Sequence, residues 1–220
     1  MAQNTHRLGW IGMGRMGTPM AELLLKKGYD VSLWNRTKSK AEPLAQKGAK
    51  LVDKPSDLAG VDILFTMVST GKDLSQVYFG ENGVATGSTR PKIFVDCSSI
   101  SVEESAAIRE KLKGMGASYI AVPVSGNGKC VKAGYIDAFA RAGTSYVGEG
   151  ELARICKIAH NVMLGVVIQN LAEITILAQK HGVPRHAFLD FMNNSVMGSA
   201  FTRYKSNALV NLDWTTTFTP

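Results

Sequence analysis

The sequence is poor in cysteine and holds nothing that would tie its cysteines together. Cys97, Cys130 and Cys156 are three among 220 residues, widely spaced, odd in number and without a C-x-x-C pair. That spacing excludes a disulfide framework and implies no metal site; free thiols in a reducing cytoplasm are the expectation. No secretory leader is recognisable, since residues 1–7 are polar and the first apolar run is broken by glycine, so a cytoplasmic location is expected. No apolar stretch is expected to approach the roughly 18 residues of a membrane span, and no membrane partner is expected either. Basic residues outnumber acidic ones, 25 to 18, for a net charge of +7, yet they are scattered along the chain. Nucleic acid is therefore set aside as a partner, and the excess suits small anionic ligands.

What is present begins at once. Arg7 to Ile11 is a short, mostly apolar strand that runs into Gly12-Met13-Gly14-Arg15-Met16-Gly17. Met16, Met20, Leu23 and Leu24 then recur at helical spacing, and Gly28 closes the run. Strand, G-x-G-x-x-G and helix in this order point to dinucleotide binding. Gly12 permits the tight turn, Gly14 lets a pyrophosphate approach the backbone, and Gly17 lets helix and strand pack closely. The amides of Met13, Arg15 and Met16 belong to the same phosphate-facing turn.

A second absence sharpens the reading. Strand two, Asp30 to Trp34, delivers Asn35-Arg36-Thr37 about 20 residues beyond the glycines, where an NAD site usually carries an acid. None is there. Arg36 can stack on adenine and pair with a 2′-phosphate, Asn35 and Thr37 can add hydrogen bonds, and Lys38 and Lys40 follow. The expected cofactor is NADP, with NAD less favoured.

The rest of the chain alternates. A helix is expected from Ser39 to Lys47, a strand from Ala49 to Val52, and a brief helix after Lys54. Asp62 to Val68 is a continuous apolar run of the kind buried on both faces of a parallel sheet. Helices at Lys72 to Phe79 and Val102 to Met115 alternate with strands at Lys92 to Asp96 and Ser118 to Val122. This is the pattern of an α/β fold, a Rossmann-like doubly wound mostly parallel sheet. Ligands in such folds lie beyond the carboxyl ends of the strands, which brings in Met67, Val68, Ser69 and Ser99. From Glu151 to Lys180 runs one long helix, and Pro184 to Val196 forms another. The expected organisation is a dinucleotide-binding domain over 1–150, then a long helix and the start of an all-helical domain over 151–220. The ending at Thr215 to Pro220 carries no stop signal and is expected to be a cut in mid-fold.

Two constellations carry chemistry. Ser125, Gly126 and Asn127 follow a buried strand, and their turn can form a nest for a carboxylate. Lys157 and Asn161 lie four apart on the long helix, where Ile155, Ile158, Val162 and Leu164 mark it as largely buried. A lysine in that setting is expected to have a lowered pKa suited to proton transfer.

Together these motifs resemble the β-hydroxyacid dehydrogenases, a family that includes 3-hydroxyisobutyrate dehydrogenase and 2-hydroxy-3-oxopropionate (tartronate semialdehyde) reductase. Gly12 to Ala21 is similar to the family's G-x-G-x-M-G-x-x-M-A opening, and Asp96-Cys97-Ser98-Ser99 to its D-x-S-T motif. Pro123-Val124-Ser125-Gly126 matches its substrate-carboxylate loop, and Lys157 to Asn161 its K-x-x-x-N. The resemblance implies that Lys157 is the catalytic residue and that Asn161 orients it. It also implies that Ser125, Gly126, Asn127 and Ser99 bind the substrate and that Ser99 lies against the cofactor as well. A homo-oligomer formed through a complete helical domain is a further implication. Departures are His160 in place of a common asparagine, a short stretch between Gly134 and Thr144, and an end before the family's later motifs. A catalytically inactive cofactor-binding or interaction protein on the same scaffold therefore stays open, as does a relative of 6-phosphogluconate dehydrogenase or imine-reductase type.

Overall fold

A computed structural model describes residues 6–125, 145–213 and 215 of the chain. Six strands form one sheet: β1 (Arg7–Ile11), β2 (Asp30–Trp34), β3 (Lys50–Leu51), β4 (Ile63–Thr66), β5 (Ile93–Asp96) and β6 (Ser118–Ala121). Their order is β3-β2-β1-β4-β5-β6, and every pairing is parallel, so the expected mostly parallel sheet is wholly parallel among the described residues. The order reverses between β1 and β4, which opens a crevice beyond their carboxyl ends.

Apolar alternation decides the layers. Leu8 and Trp10 of β1 join one buried cluster with Met20, Val31 and Leu33, whereas Ile11 joins the other with Leu64, Leu74, Phe94 and Leu112. Both faces of the sheet are thus covered, as a parallel sheet requires. The helices around it are α1 (Gly17–Lys26), α2 (Glu42–Ala45), α3 (Gly71–Phe79) and α4 (Val102–Gly114). The helix expected over Ser39 to Lys47 is instead a 3₁₀ turn at Lys38–Lys40 followed by α2. Pro43 is the physical reason: it stands in the first turn of α2, where its missing N–H costs nothing, and could not continue a helix begun earlier.

The long helix α5 (Leu152–Lys180) is followed by α6 (Arg185–Asn194) and α7 (Ala200–Asn211). The sequence reading did not include α7, whose start is set by a capping box between Ser199 and Thr202. The chain divides into two compact units, Met1–Lys157 and Ile158–Pro220. The second has a small core of its own, built on Leu171, Leu189 and Leu209.

Two expectations about α5 are overturned. The helix is not largely buried: Ile155 is 50% exposed, Ile158 48% and Val162 63%. Nor is it short of membrane length, because its 29 residues include an 18-residue window with a mean hydropathy of 1.5, only 11% of it buried. Helical positions dominated by Val, Ile and Leu reach that hydropathy even when Asn, Gln and Gly interrupt the run. The core helix of an all-helical assembly has the same profile.

Cys97 is buried just past β5, its amide bonded to the Thr66 carbonyl at 2.8 Å, while Cys156 is exposed. Burial, with the neighbouring Asp96 charge, pushes the Cys97 thiol well above its ordinary pKa. Cys130 lies outside the described residues. Alkylation of the native protein followed by peptide mapping should therefore label Cys156 rapidly and Cys97 only after unfolding. Equal rates at the two thiols would contradict this packing.

Candidate functional site

The glycine turn is built by steric exclusion. Gly12 has φ of 101°, and a Cβ there would collide with the Met67 carbonyl; a Cβ on Gly17 would collide with the Gly12 carbonyl. Backbone of β1 and of the β4 end therefore approach as only glycine permits. Gly14 faces open space among the described residues, with none of their atoms within 4 Å of where its Cβ would stand. Arg15 and Met16 follow directly and lead into α1.

The start of α1 is left electrostatically bare. No side chain caps it and its first turn holds no acid. By contrast α3 is capped by Thr70 and carries Asp73, and α4 is capped by Ser101 and carries Glu103 and Glu104. Among the described residues the N–H groups and positive dipole end of α1 thus meet no side-chain cap and no acid in the first turn, which suits a phosphate.

One open cleft gathers the strand-end loops. Gly12, Met13, Gly14, Asn35, Arg36, Thr37, Met67, Val68 and Ser69, predicted separately, line it together with Asp73. Asn35 ties two of these loops. Its Oδ1 accepts from the Met13 amide at 2.8 Å, and its Nδ2 donates to the Thr37 carbonyl at 2.7 Å. Its carboxamide is therefore a brace between loops rather than a group held in reserve for ligand. The open face at Gly14, the bare α1 start and the Arg36 guanidinium fit a dinucleotide cofactor.

A second, buried network lies at the end of β5, and the sequence reading missed it. Asp96 closes β5 with no solvent exposure, and Arg154 in the first turn of α5 reaches it, 2% exposed, with Nη2 2.5 Å from Oδ2. Nη2 also donates to the Tyr119 hydroxyl at 2.7 Å, and Nη1 to the Ser98 carbonyl at 2.9 Å. Asp96 is fully engaged: Oδ1 accepts from Thr66 and the Ser98 amide, and Oδ2 from Tyr119 as well as Arg154. Burial alone would lower the Arg154 pKa, but Tyr119 and Asp96 outweigh it and hold it above its ordinary value. Burial and the Asp96 charge likewise raise the Tyr119 phenol. Ser98 extends the network to the next loop by accepting from the Val68 amide at 2.9 Å. Arg109 of α4 holds the approach to α5 through Glu151, the Gly150 carbonyl and the Tyr119 carbonyl.

Lys157 stands one turn beyond Arg154 on α5, half-buried, and burial lowers its pKa. Asn161 lies a further turn along the same helix, exposed, with its Oδ1 3.3 Å from His160 Nδ1. Ser99 and Ser125 are exposed on the segments that leave β5 and β6; neither lines the cleft. Gly126 and Asn127, and the short stretch from Gly134 to Thr144, lie outside the described residues. Among the described residues no group of three or more His, Cys, Asp or Glu could hold a metal. An acid ending the apolar strand Ile93–Asp96 was the available sign of the network, since a buried carboxylate needs a partner.

Comparison with known proteins places this geometry. Residues 7–163 match the family model described as the NAD binding domain of 6-phosphogluconate dehydrogenase. The chain is 30% identical over 233 residues to the chloroplastic glyoxylate/succinic semialdehyde reductase 2 of Arabidopsis thaliana, covering 97% of this chain and 65% of that protein. It thus spans just under two thirds of that relative's length. The fold is shared with the 3-hydroxyisobutyrate dehydrogenase of Mycobacterium tuberculosis solved with L-serine, at a TM-score of 0.79 and 23% identity over 97% of this chain and 81% of that one. Psf3 in complex with NADP+ and 2-OPP superposes equally well, at a TM-score of 0.79 and 23% identity over 93% of this chain and 78% of that one.

The buried pair has a testable weight. Arg154→Met leaves Asp96 buried without its cation and should lower the unfolding free energy of the sheet unit by about 3–5 kcal/mol, read by denaturant titration of tryptophan fluorescence. Adding Asp96→Leu should recover part of that loss. A loss under about 1 kcal/mol in the single variant would contradict the role given to the pair.

Proposed function

The chain belongs to the family of the NAD-binding domain of 6-phosphogluconate dehydrogenase, within the NAD(P)-dependent hydroxyacid dehydrogenases and reductases, and from that premise we propose its reaction. It binds NADP(H) at the β1–β2–β4 cleft and takes part in hydride transfer to or from a small β-hydroxy acid or its semialdehyde. Lys157 is the general acid/base. The observation that carries this reading is Lys157's position, half-buried and one turn beyond the arginine locked onto the end of β5.

The roles follow from the groups present. The glycine turn and the start of α1 bind the pyrophosphate, and Arg36 takes the 2′-phosphate that an acid at this position would repel. When bound, the nicotinamide supplies or accepts the hydride. In reduction, the Lys157 ammonium donates its proton to the oxygen of the carbonyl as that oxygen gains charge; in oxidation, the neutral amine takes the hydroxyl proton. Asn161 orients the lysine and the substrate oxygen, and Ser125 with Gly126 and Asn127 grips the carboxylate. The basic surface favours a small anionic substrate. The likeness of the plant reductase, named for glyoxylate and succinic semialdehyde, supports an aldehyde bearing a carboxylate.

Two measurements test the proposal. Titrations of NADPH and NADH by fluorescence should favour NADPH, and Arg36→Asp should narrow or invert the difference; equal affinity in the unaltered protein would refute the cofactor assignment. Lys157→Ala should lower turnover of small β-hydroxy acids or their semialdehydes by about 10²–10⁴ while NADPH affinity stays close to unaltered. Because donation needs the ammonium form, reduction should fall as pH rises through a pKa below the ordinary lysine value of 10.5. Near-normal turnover in the variant would exclude Lys157 as the acid. Cofactor binding with no turnover in the unaltered chain would favour a cofactor-binding protein without activity.

A further inference from the structure

Arg36 is not alone at the cleft. Its Nη1 lies 3.1 Å from Oδ1 of Asp73, in the first turn of α3, and both residues line the cavity with the glycine turn. The two partners are held very differently. Asp73 Oδ2 accepts from the Thr70 hydroxyl at 2.8 Å, and that hydroxyl accepts from the Asp73 amide at 3.0 Å, so the carboxylate is fixed to the helix start. Arg36 is 83% exposed on a long stem, and Asp73 is the anchor of its guanidinium.

We propose that Asp73 is a specificity-determining residue that acts through Arg36: paired with the guanidinium, it weakens attraction for a 2′-phosphate and so narrows the preference for NADPH over NADH. The inference rests on the assignment of Arg36 to the 2′-phosphate. A 2′-phosphate can engage Arg36 only by displacing the carboxylate or by sharing the guanidinium with it. In the first case an existing ion pair is lost; in the second, two like charges face each other across one cation. A free ribose hydroxyl meets neither obstacle. Lys40, which also lines the cleft, adds positive charge but leaves the Arg36–Asp73 competition in place.

Asp73→Asn removes the charge and keeps an oxygen able to accept from Thr70, while the amide bond that caps α3 is untouched. The variant should bind NADPH about three- to tenfold more tightly, with NADH changed less than twofold, in paired fluorescence titrations at low salt. In an Arg36→Ala background the same substitution should lose most of its effect on NADPH. Unchanged NADPH affinity in Asp73→Asn, or a shift toward NADH, overturns the proposal. So does an equal gain in the Arg36→Ala background, since Asp73 would then act directly on the phosphate. Failure of the underlying assignment has a different signature: Arg36→Ala itself would leave the preference between the two cofactors where it was.

Discussion

The interaction on which the site depends is the buried pair between Asp96 and Arg154. An uncompensated carboxylate at the end of β5 would be costly, and Asp96 escapes that cost because four donors converge on its two oxygens. One of the four comes from the first turn of α5, so the satisfaction of Asp96 and the placement of that turn are a single event. Lys157 inherits its position from this bond, three residues along the same helix. Among the described residues Lys157 forms no ion pair of its own, so the proton exchange proposed for it relies on the placement that the neighbouring Arg154 gives the helix. The exposure of Ile155 and Ile158 beside it makes the point stronger, because apolar packing around Lys157 does not do the anchoring.

A second constraint is steric. The crossing of backbone at Gly12, Gly17 and Met67 forces the β1–α1 turn against the β4 end, and the Asn35 brace ties the β2 end to the same place. Ser98, bonded to the Val68 amide, connects this cleft to the Asp96 network. The cleft loops and the first turn of α5 are thus parts of one hydrogen-bonded framework along the carboxyl edge of a parallel sheet. The proposed division of labour follows this layout: anion binding at backbone amides and a helix start, cofactor choice at the exposed charges of Arg36 and Asp73, and proton transfer at the half-buried Lys157.

Much of this was legible from residue order. The glycine spacing, the apolar run of β4 and the alternation of strand and helix determine the fold, because each rests on local sterics or on burial of both sheet faces. The loops lining the cleft were legible too, since a parallel sheet places all strand ends of one sense together. What escaped were relations between distant residues. Arg154 to Asp96 spans 58 positions and Arg36 to Asp73 spans 37, and no local pattern encodes either pairing. The burial of α5 was misjudged for a related reason: an apolar surface shows that a helix has faces to cover, not that the chain at hand covers them. Pro43 was a local signal in plain view, and it broke the helix expected around it.

The account's central claim is that the cofactor edge and the Asp96-anchored turn of α5 form one reaction site. A crystal structure of the protein with NADPH tests it most directly. The account predicts the pyrophosphate against the amides at the start of α1, the 2′-phosphate in hydrogen-bond contact with Arg36, and the nicotinamide on the side of the cleft toward Met67 to Ser69, within reach of a substrate that Lys157 can touch. A dinucleotide bound elsewhere on the sheet, or one whose nicotinamide points away from Lys157 while the Asp96–Arg154 pair stays intact, would contradict it.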